Sequence, residues 1–448
     1  MARATLLYAV GTILMALAFA PEAFAQSTSG PLAPSNPSGG GSSTPTVPGG
    51  RPGDLGPSPS VPDLFGEPGK GFDRPGPQSD GAPAIPNEIC VIFPPSSTPG
   101  LAQAFAQDLD LEVARDFTMQ GLGLRVYLMR LGDGAEPDQV FEEAATDQRP
   151  LWVQPNYVYR TSEDGASAQN SQQYALHQMR ADIAMSKTSG GAGIRIALID
   201  SGVDLGHEAL AGASIEGIDV VEEDSQLDPE THGTVLASIL VGQGPLFGIA
   251  PKAHLIAIRA FREVDKKTGG AESTSFLLSL AIETAIRQQA RVINLSLTGP
   301  QDRLVAQLVN AALMSRANVV AAAGNGGPKS PAAYPAAQDG VIAVTATDMQ
   351  DRIYDQANRG DYISVAAPGV DILGARPGGT YDFFSGTSMA TGYASGLAAL
   401  LLSARSDLNV VKLRQTMEVS SVDLGPPQRD PQFGAGRIDA ASALEALP

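Results

Sequence analysis

The run Gly386-Thr387-Ser388-Met389-Ala390 leads into a small-residue stretch that reads as helix over 391–403. A serine at a helix start, set after a tight glycine turn, exposes its hydroxyl, and its backbone N–H has no acceptor inside the helix. Such a residue can attack a carbonyl carbon while its own N–H faces the oxygen on which charge builds. The same residues also make an ordinary helix N-cap, so the rest of an acyl-transfer site has to come from elsewhere in the chain.

A serine hydroxyl is a weak nucleophile until an imidazole takes its proton, and the imidazole needs a carboxylate to fix its tautomer. Ile196-Ala197-Leu198-Ile199-Asp200-Ser201-Gly202 reads as a buried strand ending in an acid and a turn. Thr231-His232-Gly233-Thr234 opens a helical stretch over 235–241. In Ala321-Ala322-Ala323-Gly324-Asn325-Gly326 a strand end runs into a turn, and the Asn325 amide is a candidate donor to an oxyanion beside the Ser388 N–H. Taken singly, Asp200 is a turn residue, His232 a cap and Asn325 half of an Asn-Gly turn. Taken together, the four segments make an acyl-transfer site.

With these segments the chain resembles the subtilisin-like serine proteases, the subtilases, in their order Asp, His, Ser and at similar intervals. Gly248-Ile249-Ala250-Pro251, Val292-Ile293-Asn294-Leu295-Ser296-Leu297 and Ala366-Ala367-Pro368-Gly369 extend the resemblance, which covers residues 172–448. It implies an α/β fold with a mostly parallel sheet and helices on both faces, and hydrolysis of peptide bonds in protein or peptide substrates. Asp200 then orients the imidazole and His232 acts as general base and then acid. Ser388 attacks, and Asn325 with the Ser388 N–H holds the oxyanion. Ser296-Leu297-Thr298 resembles the strand that pairs with substrate backbone; with Gly324 and Ala333 it is expected to line the primary pocket. That lining is uncharged, so a small or apolar side chain ahead of the cleaved bond is expected. Thr298 and Ala333 stand where the family often has glycine, which points to a narrower, shallower cleft. Gly392 and Tyr393 replace the usual proline and histidine after the nucleophile. No organic cofactor is implied. The loop that binds calcium in many relatives falls at 240–248, is short here and lacks a matching Asn, so structural calcium is not carried over.

Composition excludes other classes. The net charge is −18, which argues against nucleic acid or an anionic membrane surface as partner. The single cysteine, Cys90, allows no internal disulfide, and four scattered histidines with no His-x-x-x-His pair give a metalloprotease no ligands, so no metal site is expected. A lipase or esterase would need Gly-x-Ser-x-Gly and the serine ahead of the acid and the histidine; here the serine comes last. A secreted binding protein that keeps this fold but is permanently inhibited stays open as the alternative.

Five segments are expected along the chain. Residues 1–25, with Arg3, an apolar run and Ala23-Phe24-Ala25, read as a signal peptide, so the protein is expected to be secreted or periplasmic and not to stay inserted in a membrane. Residues 26–86 are dominated by Pro, Gly and Ser and read as a flexible linker. Residues 87–160 alternate strand-like and helix-like patterns (strands at 89–93, 122–131 and 152–159, helices at 101–109 and 137–146) and resemble the family's α+β propeptide, an intramolecular inhibitor that also assists folding. Residues 161–171 read as a processing linker, cut near Ala166 to Gln169. Strand patterns then alternate with helical ones to the end, which argues for a parallel sheet covered on both faces, with functional loops at its carboxyl edge.

Overall fold

The computed structural model describes residues 82–132, 135, 137–161, 164–165, 173–221, 231–265 and 270–448. The expected signal peptide, the Pro/Gly/Ser-rich stretch up to residue 81 and the expected cut near 166–169 lie outside the described residues.

The first described segment runs β1 (Ala84–Phe93), α1 (Pro99–Asp108), β2 (Leu111–Met119), β3 (Leu124–Leu131), α2 (Pro137–Thr146), β4 (Trp152–Thr161) and the two-residue β5 (Asp164–Gly165). β1 begins before residue 87: Ala84 already pairs with Tyr157. Polar residues alternate with apolar ones through β2, with Leu111, Phe117 and Met119 inward and Glu112, Asp116 and Thr118 away from the core. A strand buried on one face carries that period, which the sequence reading passed over. The four long strands pair antiparallel in the order β2-β3-β1-β4, and α1 and α2 cover one face through Phe105, Ala102 and Ala144.

The second segment runs α3 (Tyr174–Gln178), α4 (Ala181–Lys187), β6 (Arg195–Asp200), β7 (Ser214–Asp219), α5 (Thr231–Val241), β8 (His254–Arg259), β9 (Arg262–Asp265), β10 (Gly270–Thr274), α6 (Ser275–Arg287), β11 (Val292–Leu295), β12 (Leu297–Thr298), α7 (Arg303–Met314), β13 (Asn318–Ala322) and β14 (Ile342–Thr347). It ends with β15 (Val365–Pro368), β16 (Ile372–Arg376), β17 (Thr380–Ser385), α8 (Thr387–Ala404), α9 (Val410–Val419) and α10 (Ala440–Glu445). Seven strands pair parallel in the order β15-β14-β13-β11-β6-β8-β7. Successive side chains of a strand leave on opposite faces, and these strands are apolar on both. Ile196, Leu198, Val292 and Val344 join one core with α5 and α8, while Ala197, Ile199, Ile293 and Ala343 join the other with α6 and α7. This is the expected α/β architecture. Helices α6 and α7 are started by Thr274 and Asp302, whose side chains accept from Leu277 N–H and Val305 N–H.

Candidate active site

Asp200 closes β6 at the carboxyl edge of the sheet and is 1% exposed. Its Oδ1 accepts from the Ser201 N–H at 2.7 Å and lies 2.8 Å from His232 Nδ1. A carboxylate so placed holds the proton on Nδ1 and turns Nε2 toward the other side of the ring. His232, in the first turn of α5, is 3% exposed. Two bonds tie the turn after Asp200 to that helix: Gly233 N–H donates to Ser201 Oγ at 3.0 Å, and Asp204 N–H donates to Thr234 Oγ1 at 2.9 Å. Gly233 is required by this approach, since a Cβ there would lie 2.6 Å from the Ser201 carbonyl oxygen. The position of the imidazole is therefore fixed by its neighbours in sequence as much as by its own bond.

Ser388 is the second residue of α8, which packs against α5. The N-cap, Gly386, has φ 156 and ψ 162, a conformation essentially confined to glycine, and it delivers Ser388 into the first turn, where N–H groups lack helical acceptors. Ser388 Oγ donates to the Ser296 carbonyl at 3.2 Å. Below it runs a buried polar chain: Ser296 Oγ is 3.1 Å from the Ser388 carbonyl and 2.9 Å from Asn294 Oδ1, and Asn294 Nδ2 donates to Ser395 Oγ at 2.9 Å. Ser296, just after β11, thus holds the peptide of Ser388 and is braced by Asn294 of β11, which is itself bonded to Ser395 in the third turn of α8.

Asn325 follows β13. Its Oδ1 accepts from both the backbone N–H and the hydroxyl of Thr387, at 3.0 and 2.8 Å. The amide nitrogen, the donor end, is turned away from Thr387. Gly324 N–H donates to Thr387 Oγ1 at 3.1 Å, so the two loops are locked together beside Ser388.

The five residues expected to line the substrate site gather here. Ser296 and Leu297 are buried, Thr298 is half-buried at the end of β12, and Ala333 lies against Gly324, whose φ is +106. Asn358 staples the two pocket segments: its N–H donates to Gly324 O, its Oδ1 accepts from Gly326 N–H and its Nδ2 donates to Pro331 O. The Subtilase family model matches residues 191–436. The thermophilic serine proteinase of Bacillus sp. (strain AK1) is 35% identical over 309 residues, 67% of this chain and 74% of that protein. Subtilisin E of Bacillus subtilis (strain 168) is 32% identical over 279 residues, 61% of this chain and 71% of that protein. Among solved structures, prenylagaramide maturation protease PagA is 31% identical with a TM-score of 0.54, covering 60% of this chain and 98% of that one. Fervidolysin from Fervidobacterium pennivorans, a keratinolytic enzyme, shares the fold with a TM-score of 0.70 at 24% identity, over 83% of this chain and 62% of that one.

The chain belongs to the subtilase family. It is a serine endopeptidase.

In this subtilase the segment that precedes the family domain runs alongside the site. β4 lies between β10 and β12: Val158, Tyr159 and Arg160 pair with Thr274, Ser273 and Glu272, and Arg160 and Thr161 pair with Thr298 and Leu297. Thr298 does not prevent an extended strand from pairing along β12. Gly299 is what admits the aromatic side chain, because a Cβ there would lie 2.3 Å from the Tyr159 ring carbons. On the far side of Ser388, Asp164 and Gly165 pair with Ser385 and Phe384.

The same segment caps two helices. Asn156 Oδ1 accepts from Phe276 N–H at 3.1 Å in α6, and Gln154 Oε1 accepts from Leu304 N–H at 3.0 Å in α7. Asp302 accepts from Gln154 Nε2 and Ser275 Oγ at 2.8 and 2.5 Å. Cys90 is fully buried at this junction, its thiol pushed well above its usual range by burial first, then by Asp302 and Glu88.

Sequence reasoning missed Thr387, Asn358, Asn294, Ser395, Asn156 and Gln154. Thr387 stood inside the nucleophile motif and Asn294 inside a quoted strand. The others act across the fold, and no local pattern marks them.

Proposed function

We propose that Asp200, His232 and Ser388 are the catalytic triad of this endopeptidase, that Asn325 and the Ser388 N–H are its oxyanion donors, and that residues 82–161 form an intramolecular inhibitor of a zymogen. The observation that carries this reading is the pair of strand registers flanking Ser388. Thr161 pairs with Leu297, next to the Ser296 whose carbonyl accepts from Ser388 Oγ, and Asp164 pairs with Ser385, three residues before Ser388 in the chain. A chain paired with Leu297, next to Ser296, and then with Ser385 meets the two segments that adjoin Ser388, as a substrate backbone would. These two pairings support a maturation cut between Thr161 and Asp164, ahead of the expected 166–169.

In the reaction, Ser388 Oγ attacks the carbonyl carbon as His232 Nε2 takes its proton. The bond to nitrogen breaks as His232 returns that proton to the leaving amine. Water, deprotonated by His232, then releases the acyl group and restores Ser388. Asp200 keeps the imidazole in the tautomer this requires and steadies its charged form. Asn325 Nδ2 and the Ser388 N–H hold the carbonyl oxygen while it is negative. The primed-side chain leaves along β17.

Substrates are proteins or peptides with a small or apolar residue ahead of the bond, supported by the uncharged lining of Ser296, Leu297, Gly324 and Ala333. The mechanism uses no cofactor. The 240–248 loop is held by protein contacts, Gly248 N–H to Gly242 O at 2.9 Å and the Gln173 amide to both Phe247 backbone groups at 2.7 and 3.0 Å. An exported protein is supported by the pattern of residues 1–25 and by relatives such as the minor extracellular protease Epr of Bacillus subtilis (strain 168), 32% identical over 315 residues. No helix among the described residues is long and apolar enough to cross a membrane.

Ser388 has no exposed surface, which favours, as a second reading, a chain that stays inhibited. One experiment decides between them: fluorophosphonate labelling of the purified protein, with mass spectrometry of the labelled peptide and of the new N-terminus. Label on Ser388 in a chain cut between 161 and 164 supports the zymogen. An uncut chain that never takes the label supports permanent inhibition.

A further inference from the structure

Arg160 is the one charged residue in the stretch of β4 that lies between β10 and β12. Its Nε is 2.7 Å from Glu272 Oε1, and Glu272 is its cross-strand partner in β10. The neighbouring side chain, Tyr159, points the other way and is 1% exposed. The strand therefore buries one side chain over Gly299 and offers the next to a carboxylate. Glu272 is itself set between two arginines, since Arg262 of β9 is its partner on the opposite side.

We propose that Glu272 is a specificity-determining residue of the groove: it selects peptides that carry Arg or Lys at the strand position Arg160 fills, directly after a residue whose ring packs on Gly299. This rests on the reading that the end of β4 occupies the substrate groove. The carboxylate is partly exposed, so the interaction is a surface ion pair: a few-fold preference at low salt that fades as salt screens it. Such a preference concerns binding of an extended backbone between β10 and β12, and it is separate from the pocket lined by Gly324 and Ala333. It also makes the chain's own segment a well-matched occupant of its groove.

The test uses synthetic peptides of the chain's own sequence 156–167, with Arg, Gln or Glu at position 160, and the processed enzyme counted by fluorophosphonate titration so that misfolded molecules do not enter. The expected result is a kcat/KM for the Arg peptide about 3- to 5-fold above that for the Glu peptide in dilute buffer. The ratio approaches one in 0.5 M salt or in Glu272→Gln, and inverts in Glu272→Arg. In the full-length chain, Arg160→Glu slows self-processing and the added Glu272→Arg restores it. A peptide that is cleaved with the same Arg-to-Glu ratio by wild type and Glu272→Gln overturns the inference while leaving the groove reading in place. A peptide that is neither cleaved nor competes with a general peptide substrate overturns the groove reading itself.

Discussion

The side-chain oxygen of Asn325 accepts two hydrogen bonds from a single residue, Thr387, through its backbone N–H and its hydroxyl. Both donors need an oxygen, so the amide has one orientation, with Nδ2 turned away from Thr387, as the proposed oxyanion role requires. Replacing Asn325 by Leu is expected to lower kcat by about 10²–10³ with little change in KM, the usual size for loss of one oxyanion donor. Thr387→Val keeps the backbone donor and loses the hydroxyl, so a smaller loss, about tenfold, is expected in kcat. Steady-state kinetics on both variants checks this, and an effect confined to KM would assign the amide to substrate binding instead.

Ser388→Ala removes the attacking atom and almost no apolar surface. The variant is expected to fold with an unchanged circular dichroism spectrum, to take no fluorophosphonate label and to accumulate as the uncut chain. Turnover at the wild-type rate would rule Ser388 out as nucleophile.

The primary pocket gives a preference that substrate profiling measures. Peptides with Leu, Met, Ala or Phe before the cleaved bond are expected to be better substrates than those with Asp, Lys or Arg, because a charge taken into that uncharged lining finds no partner. Ala333→Gly, which removes a methyl group facing Gly324, is expected to shift the preference toward larger side chains. A profile led by basic residues at this position would contradict the lining.

Much of this was legible in the sequence because it was local. The alternation of apolar strands with amphipathic helices pointed to the parallel sheet, and β6, β8, β11, β13 and β14 are its strands. Asp200, His232, Asn325 and Ser388 each ended or began an element, where backbone groups lack partners and function concentrates. What could not be read was long-range. β10 is a short strand with no run of apolar residues, paired between β4 and β9. Asn156 and Gln154 are polar residues inside the strand pattern at 152–159, yet each satisfies the first turn of a helix more than 100 residues away, at Phe276 and Leu304. Nothing in Trp152-Val153-Gln154-Pro155-Asn156 announces those partners.

Those two contacts lead to the last prediction. Asn156 has no exposed surface and serves three groups: Phe276 N–H, the Cys90 thiol and, through Nδ2, Glu88 at 2.7 Å. In Asn156→Ala the Phe276 N–H stays buried without an acceptor as long as the segment is docked, and returns to water when it lifts. The cost, about 1–3 kcal/mol, therefore falls on the docked state, which raises the open population by about 5- to 150-fold. Cys90 reports the opening, because burial keeps its thiol protonated and out of reach in the docked chain. In the uncut Ser388→Ala chain a thiol reagent is expected to react slowly, and faster by that factor once Asn156→Ala is added. Since Asn156 touches Cys90, a second variant separates docking from a local cavity. Gln154→Ala strips the acceptor from Leu304 N–H and has no bond to the thiol, and it is expected to speed the reaction as well. Trp152, with Arg303 4.6 Å over its ring, gives an independent signal as its emission shifts on exposure. After processing and loss of the segment, the active enzyme is expected to show tyrosine emission only and no titratable thiol, since the chain's single Trp and single Cys both precede the cut. Full activity in an uncut chain that retains both would show that residues 82–161 do not inhibit.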